Sequence, residues 1–197
     1  MVEINPKRIT DSWTEGFALD YHTLRSEYIG DDEYGHPQFD TKRTELGELL
    51  YRLKYGKDKS VLGDIIATAS QFIKSRSWFL DLIICVPPSR KGRQFQPVPP
   101  VAIGIGKTLG VDVWVEAVVK VKDTAELKNI FDFEERMRIL KDAFEICDPV
   151  IAGRSVLLFD DLYRSGATLN AISRLLQQQG RVRSLYVLTL TMTRSIR

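Results

Sequence analysis

The stretch from Ser155 to Ser173, SVLLFDDLYRSGATLNAIS, constrains this chain more than any other. An apolar run of strand type ends on two adjacent acids, Asp160 and Asp161. A short loop of small and hydroxyl residues follows, and apolar positions at helical spacing then run from about Ala167 to Gln179. Gly180 is placed to close that helix. A strand that hands over directly to a helix is a unit of a parallel sheet, because the next parallel strand can be reached only by a crossover. Ser184 to Leu190 supplies that next strand.

Other segments repeat the unit. Leu46, Leu49, Leu50 and Leu53 share one helical face, which predicts a helix from about Lys42 to Tyr55, capped by Asp40 or Thr41. Ile65, Ile66, Ala69, Phe72 and Ile73 predict a second helix that ends near Ser77. DLIICVPP is an apolar run stopped by two prolines, as suits a strand buried on both faces. A third helix is expected from Val98 to Gly110, and the following VDVWVEAVV reads as one strand, with AFEI near residue 144 as another. Before residue 40, the alternation in GFALDYHT and the turn signals in GDDEYGHP predict one or two short strands.

Strands alternating with helices predict an α/β domain of three layers, a mainly parallel sheet with helices on both faces, and ligands outside the carboxyl ends of the strands. Residues 1–45 are expected to form a small amino-terminal hood, and residues 46–197 the core. The 28 basic and 26 acidic residues are interspersed and leave a net charge of +2, so no long-range field favours nucleic acid or membrane. Cys85 and Cys147 lie far apart without metal-ligand spacing, which excludes a zinc motif and a disulfide framework. No apolar run is long enough to cross a bilayer, so the cytoplasm is the expected location.

The acidic pair and the loop after it have a chemical logic. A phosphate dianion at a helix amino terminus meets unpaired N–H groups and the positive end of the helix dipole. Arg164, Ser165, Gly166, Ala167 and Thr168 are therefore the candidate phosphate cradle, with Gly166 allowing close backbone approach. Asp160 and Asp161 stand about one sugar length away, and carboxylates accept hydrogen bonds from vicinal hydroxyls. Two carboxylates would repel a bare phosphate. A ligand with both a sugar diol and a phosphate, or a nearby cation, resolves the conflict, and phosphoribosyl pyrophosphate with Mg2+ satisfies both conditions.

A hydrophobic strand, an acidic pair and S-G-x-T leading into a helix resemble the signature of type I phosphoribosyltransferases. The resemblance implies that Asp160 and Asp161 hold the ribose diol and touch the metal only through ribose or water, with Asp161 a candidate general base. It implies that residues 164 to 168 hold the 5′-phosphate, and that Pro88, Ser89, Arg90 and Lys91 hold the pyrophosphate. Lys120, Lys122 and Arg136 fall in the stretch that corresponds to a flexible loop closing over the site. Arg93 to Gln96, Thr124, Arg136, Ala143 and Phe144 extend the likeness to ComF-like proteins. Glu126 and Ile139 depart from that pattern, and the zinc module of many such proteins is absent.

The expected activity is transfer of phosphoribosyl to an unidentified acceptor with release of pyrophosphate, with Mg2+ as cofactor. The alternative is a non-catalytic sensor or adaptor acting with nucleic acid or a protein partner, whose best basic surface is Arg52, Lys54, Lys57 and Lys59. A homodimer is a further expectation. GIGKT at 104 to 108 resembles the end of a phosphate loop, but Val101 stands where that motif requires Gly, so it reads as a packed helix. His22 and His36 read as surface or packing residues. Trp13, Phe17, Tyr21 and Tyr28 read as packing before base-stacking.

Overall fold

The computed structural model describes residues 1–88, 95–122, 140, 142–147 and 149–194. Its centre is a six-stranded sheet in the order β1-β2-β10-β9-β5-β6. These strands are β1 (Lys7–Arg8), β2 (Glu15–Tyr21), β5 (Leu82–Cys85), β6 (Asp112–Trp114), β9 (Ser155–Tyr163) and β10 (Ser184–Met192). β1 is antiparallel to β2, and every other neighbouring pair is parallel. Two ribbons stand apart from this sheet: β3 (Thr23–Asp31) with β4 (Pro37–Arg43), and β7 (Val118–Lys120) with β8 (Phe144–Ile146), both antiparallel.

Helices cover both faces, as the apolar runs require. On one face α1 (Glu45–Tyr55), α2 (Leu62–Lys74) and α3 (Val98–Leu109) bury Leu50, Leu53, Ile65, Ala69, Val101 and Ile105 against Ile83, Leu157, Phe159 and Leu188. On the other, α4 (Ala167–Gln178) and the β7–β8 ribbon bury Leu169, Ile172, Leu176, Val118 and Phe144 against Ile84, Leu158 and Val187. The alternation of Leu157 and Leu158 between the two clusters is the two-residue period of a strand. Leu157 and Phe159 are fully buried, and truncating either to Ala is expected to cost roughly 2–5 kcal/mol.

The helix ends follow local chemistry. Thr44 caps α1 by accepting from the Gly47 N–H, with Glu45 and Glu48 in the first turn and Arg52 and Lys54 in the last, all favourable to the helix dipole. The helix begins there and not at Lys42, because residues 37 to 43 pair with β3. Gly110, at φ 69°, closes α3 in the left-handed conformation. Within α3, a Cβ on Gly104 would run into the Ile66 side chain, so the GIGKT glycine serves helix packing.

Two segments differ from expectation. The expected strand from Val111 to Val119 is two strands separated by a turn at Val115–Glu116: β6 extends the main sheet, whereas β7 pairs with β8. The first 43 residues contain four strands, not one or two, and β2 runs parallel to β10 inside the main sheet. Only the β3–β4 hairpin, exposed along most of its length, stands outside the sheet in the region expected to form a hood. Among the described residues no helix is long and apolar enough to cross a membrane.

Candidate functional site

The sheet order fixes where a ligand can sit. From β5 the chain crosses through α3 to β6 on one side, and from β9 it crosses through α4 to β10 on the other. β5 and β9 are neighbours, so their outgoing loops diverge and open a crevice at their carboxyl ends, the topological switch point of an open parallel sheet. The loop after β9 carries Arg164, Ser165 and Gly166; the loop after β5 carries Val86, Pro87 and Pro88. The Val86 N–H donates to the Phe159 carbonyl at 2.9 Å, which holds the start of that loop beside β9.

At the end of β9 the chain places an acid pair and a helix start close together. Asp160 shares the strand face of Val156 and Leu158, towards α4, and Asp161 shares that of Leu157 and Phe159, towards α1. The Asp161 N–H donates to Asp160 Oδ1 at 2.8 Å. Asp160 keeps some exposed surface, yet burial of its carboxyl, and then the charge of Asp161, pushes its pKa well above the ordinary aspartate value. The Asp161 N–H and Lys54 act in the opposite sense.

Asp161 is engaged by a residue far away in the chain. Lys54 Nζ, on the last turn of α1, donates to Asp161 Oδ2 at 2.7 Å, and each side chain is only 13% exposed. Lys54 thus stands at the carboxylate expected as a candidate general base, on its Oδ2. Across the sheet, Thr191 Oγ1 lies 3.4 Å from the Asp161 carbonyl and 3.3 Å from His22 Nδ1. His22 belongs to this end of the sheet. Burial, followed by the Arg43 and Lys54 cations, lowers its pKa below 6.5, and the charge of Asp161 acts against them.

α4 begins with its amino terminus open at the cap position. Gly166 adopts φ 77°, ψ −7°, and has no side chain with which to accept from the first-turn N–H groups. Its carbonyl accepts from Asn170 N–H at 2.8 Å, the first bond of the helix. Arg164 and Ser165 are exposed, Gly166 and Ala167 buried, and Thr168 half-buried. The loop thus places Arg164 and Ser165 next in the chain to the first-turn N–H groups of α4, the kind of place where an anion can bind. Tyr163, which sequence reasoning did not single out, packs its phenol against Gly166, with its hydroxyl 2.6 Å from the place a Cβ would take.

Other candidate residues divide clearly. Lys120 is half-buried in β7, and Lys122 makes an exposed ion pair with Asp142 at 3.5 Å. Ser89, Arg90, Lys91, Arg93, Thr124, Glu126, Arg136 and Ile139 lie outside the described residues. The basic surface expected at 52 to 59 does not form as one patch: Lys54 turns inward to Asp161, and Arg52 pairs with Asp58 at 2.6 Å. Trp13 is buried, with its Nε1 donating to the Ile9 carbonyl, and Phe17 packs edge-on against Phe72. Exposed Tyr28 pairs with Phe39 on the β3–β4 hairpin, and exposed His36 with Asp32.

No family model matches the chain, and no curated protein matches it. Solved structures do. A glutamine phosphoribosylpyrophosphate amidotransferase from B. subtilis, complexed with ADP and GMP, aligns at TM-score 0.50 and 13% identity over 81% of this chain and 34% of that one. The chain therefore spans about a third of that protein's length. An adenine phosphoribosyltransferase from Leishmania tarentolae aligns at TM-score 0.46 and 12% identity, covering 95% of this chain and 94% of its own. With a mainly parallel sheet, helices on both faces and a switch point between β5 and β9, the chain has the type I phosphoribosyltransferase fold.

Proposed function

We propose that the protein binds phosphoribosyl pyrophosphate at the carboxyl ends of β5 and β9 and transfers its phosphoribosyl group to an acceptor, releasing pyrophosphate. One observation carries this reading. An acid pair and a helix start with a left-handed glycine at its cap lie within six residues of each other, between Asp160 and Gly166, at the switch point. In this reading Arg164 to Thr168 hold the 5′-phosphate, the acid pair holds the ribose diol, and the loop from Pro88 through Lys91 holds the pyrophosphate. The C1–O bond to pyrophosphate breaks with its electron pair leaving on pyrophosphate, the acceptor bonds to C1, and the acceptor's proton passes to solvent or to a neighbouring base.

The acid pair does not fit a metal held directly by the protein. Asp161 is engaged by Lys54, and no cluster of three or more His, Cys, Asp or Glu suited to a metal occurs among the described residues. Mg2+ would instead be held by the ligand, with Asp160 and Asp161 reaching it only through ribose or water, and would supply positive charge against the departing pyrophosphate. The likeness to ComF-like proteins remains a finer reading. It rests on Arg93 to Gln96, Thr124, Arg136, Ala143 and Phe144.

Calorimetric titration with phosphoribosyl pyrophosphate, followed by a screen of nucleobases and amines for pyrophosphate release, tests the proposal. Saturable binding with release for one acceptor class is expected. Folded protein that takes up no ligand at millimolar concentration overturns it. Binding without release for any acceptor favours a sensor over a transferase.

A further inference from the structure

Lys54 stands outside the strand–loop–helix block, 107 residues before its partner, yet the fold delivers its ammonium to the acid pair. Leu46, Leu50 and Leu53 bury α1 against the sheet, and the Thr44 hydroxyl donates to the Tyr21 carbonyl at 2.6 Å, at the carboxyl end of β2. Gly47 lets the helix pass the His22 carbonyl, which any Cβ there would strike. These contacts anchor the first turn, and the last turn carries Lys54.

An ion pair as enclosed as this one is a weak source of stability, because desolvation of both charges offsets much of their attraction. Its position points elsewhere. A ribose phosphate beside Asp160 and Asp161 brings a dianion towards two carboxylates, and the repulsion must be relieved by a cation from solution or from the chain. Lys54 is a compact charge with three donors; among the described residues it donates to Asp161 Oδ2, and the same ammonium can also face a ligand oxygen.

We propose that Lys54 is a positioning residue of this site: it holds Asp161 in place and supplies the positive charge that lets a ribose phosphate bind beside two acids without a divalent ion. This inference rests on the sugar-phosphate reading given above and adds a residue to it.

Ribose 5-phosphate is the suitable probe, since it has the diol and the phosphate but no pyrophosphate to carry Mg2+. Its affinity is measured by calorimetry for the wild type, Lys54→Met and Lys54→Arg, with EDTA and with Mg2+, alongside a melting curve for each protein. The wild type should bind nearly as well in EDTA as in Mg2+. Lys54→Met should bind on the order of tenfold more weakly in EDTA and recover when Mg2+ is added, whereas Lys54→Arg should stay near the wild type. Recovery by Mg2+ is a response that a merely structural lysine would not produce.

If Lys54→Met binds as the wild type does, or if Lys54→Arg fails as fully as Lys54→Met, the assignment is overturned. Should Lys54→Met not fold, the wild type decides alone: ribose 5-phosphate binding that requires Mg2+ overturns the assignment, and binding in EDTA upholds it. Absence of any binding by the folded wild type overturns the sugar-phosphate reading itself, and this assignment with it.

Discussion

The phenol of Tyr163 occupies the space that a side chain on Gly166 would need: a Cβ there would stand 2.6 Å from the hydroxyl and 3.0 Å from Cζ. The two residues bracket the exposed loop between the acid pair and α4. Gly166 is required twice over, by this contact and by its φ of 77°. Gly166→Ala should therefore destabilise the protein by about 1–3 kcal/mol in urea denaturation and weaken phosphate-ligand binding. A double-mutant cycle with Tyr163→Ala should show coupling above about 0.5 kcal/mol, because removing the ring relieves the collision but not the backbone strain. Additivity would show that the ring does not press on the glycine.

His22 predicts a pH dependence of stability with a definite sign. Burial, and then Arg43 and Lys54, hold its folded-state pKa below the 6.5 of an unfolded histidine. The unfolded chain therefore binds its proton first as pH falls, so this contribution to stability is complete above 6.5 and is lost on going below it. The melting temperature should fall between pH 7 and pH 5 more steeply for the wild type than for His22→Gln. In NMR titrations, Lys54→Met should move the His22 titration upwards by removing a neighbouring cation. An unmoved titration would show that Lys54 does not act on His22.

The two cysteines should differ sharply in reactivity. Cys85 is 1% exposed at the end of β5, and burial, with the charge of Asp160 in second place, pushes its thiol up to about 12. Cys147 is exposed. Ellman's reagent should titrate a single thiol in the native protein and both in guanidinium, and Cys147→Ser should abolish the native reaction. Rapid native reaction at both positions would mean that the β5–β9 seam opens to solvent.

Local chemistry explains which parts were legible from the amino-acid order alone. A strand, a turn and a helix that adjoin in the chain leave their marks side by side, so β9, the acid pair, Gly166 and α4 read directly from residues 155 to 178. The buried run of β5 and the apolar stripes of α1, α2 and α3 were legible for the same reason, since periodicity records which face is covered. Periodicity does not record what covers it. The split of β6 from β7 follows from two different partners, β5 and β8, and β2 reads as an isolated short strand until β10 lies beside it.

The sequence by itself determined the layered α/β class and the strand–loop–helix block that could cradle an anion, because each depends on contacts within a few residues. Tertiary structure alone decided that Lys54 meets Asp161, that Thr191 bridges towards His22, and that Tyr163 closes against Gly166. Across a separation of 107 residues a lysine and an aspartate carry no mutual signal in their order. Only the crossover of α1 on the face shared by Asp161 sets their distance, and with it the charge of the site.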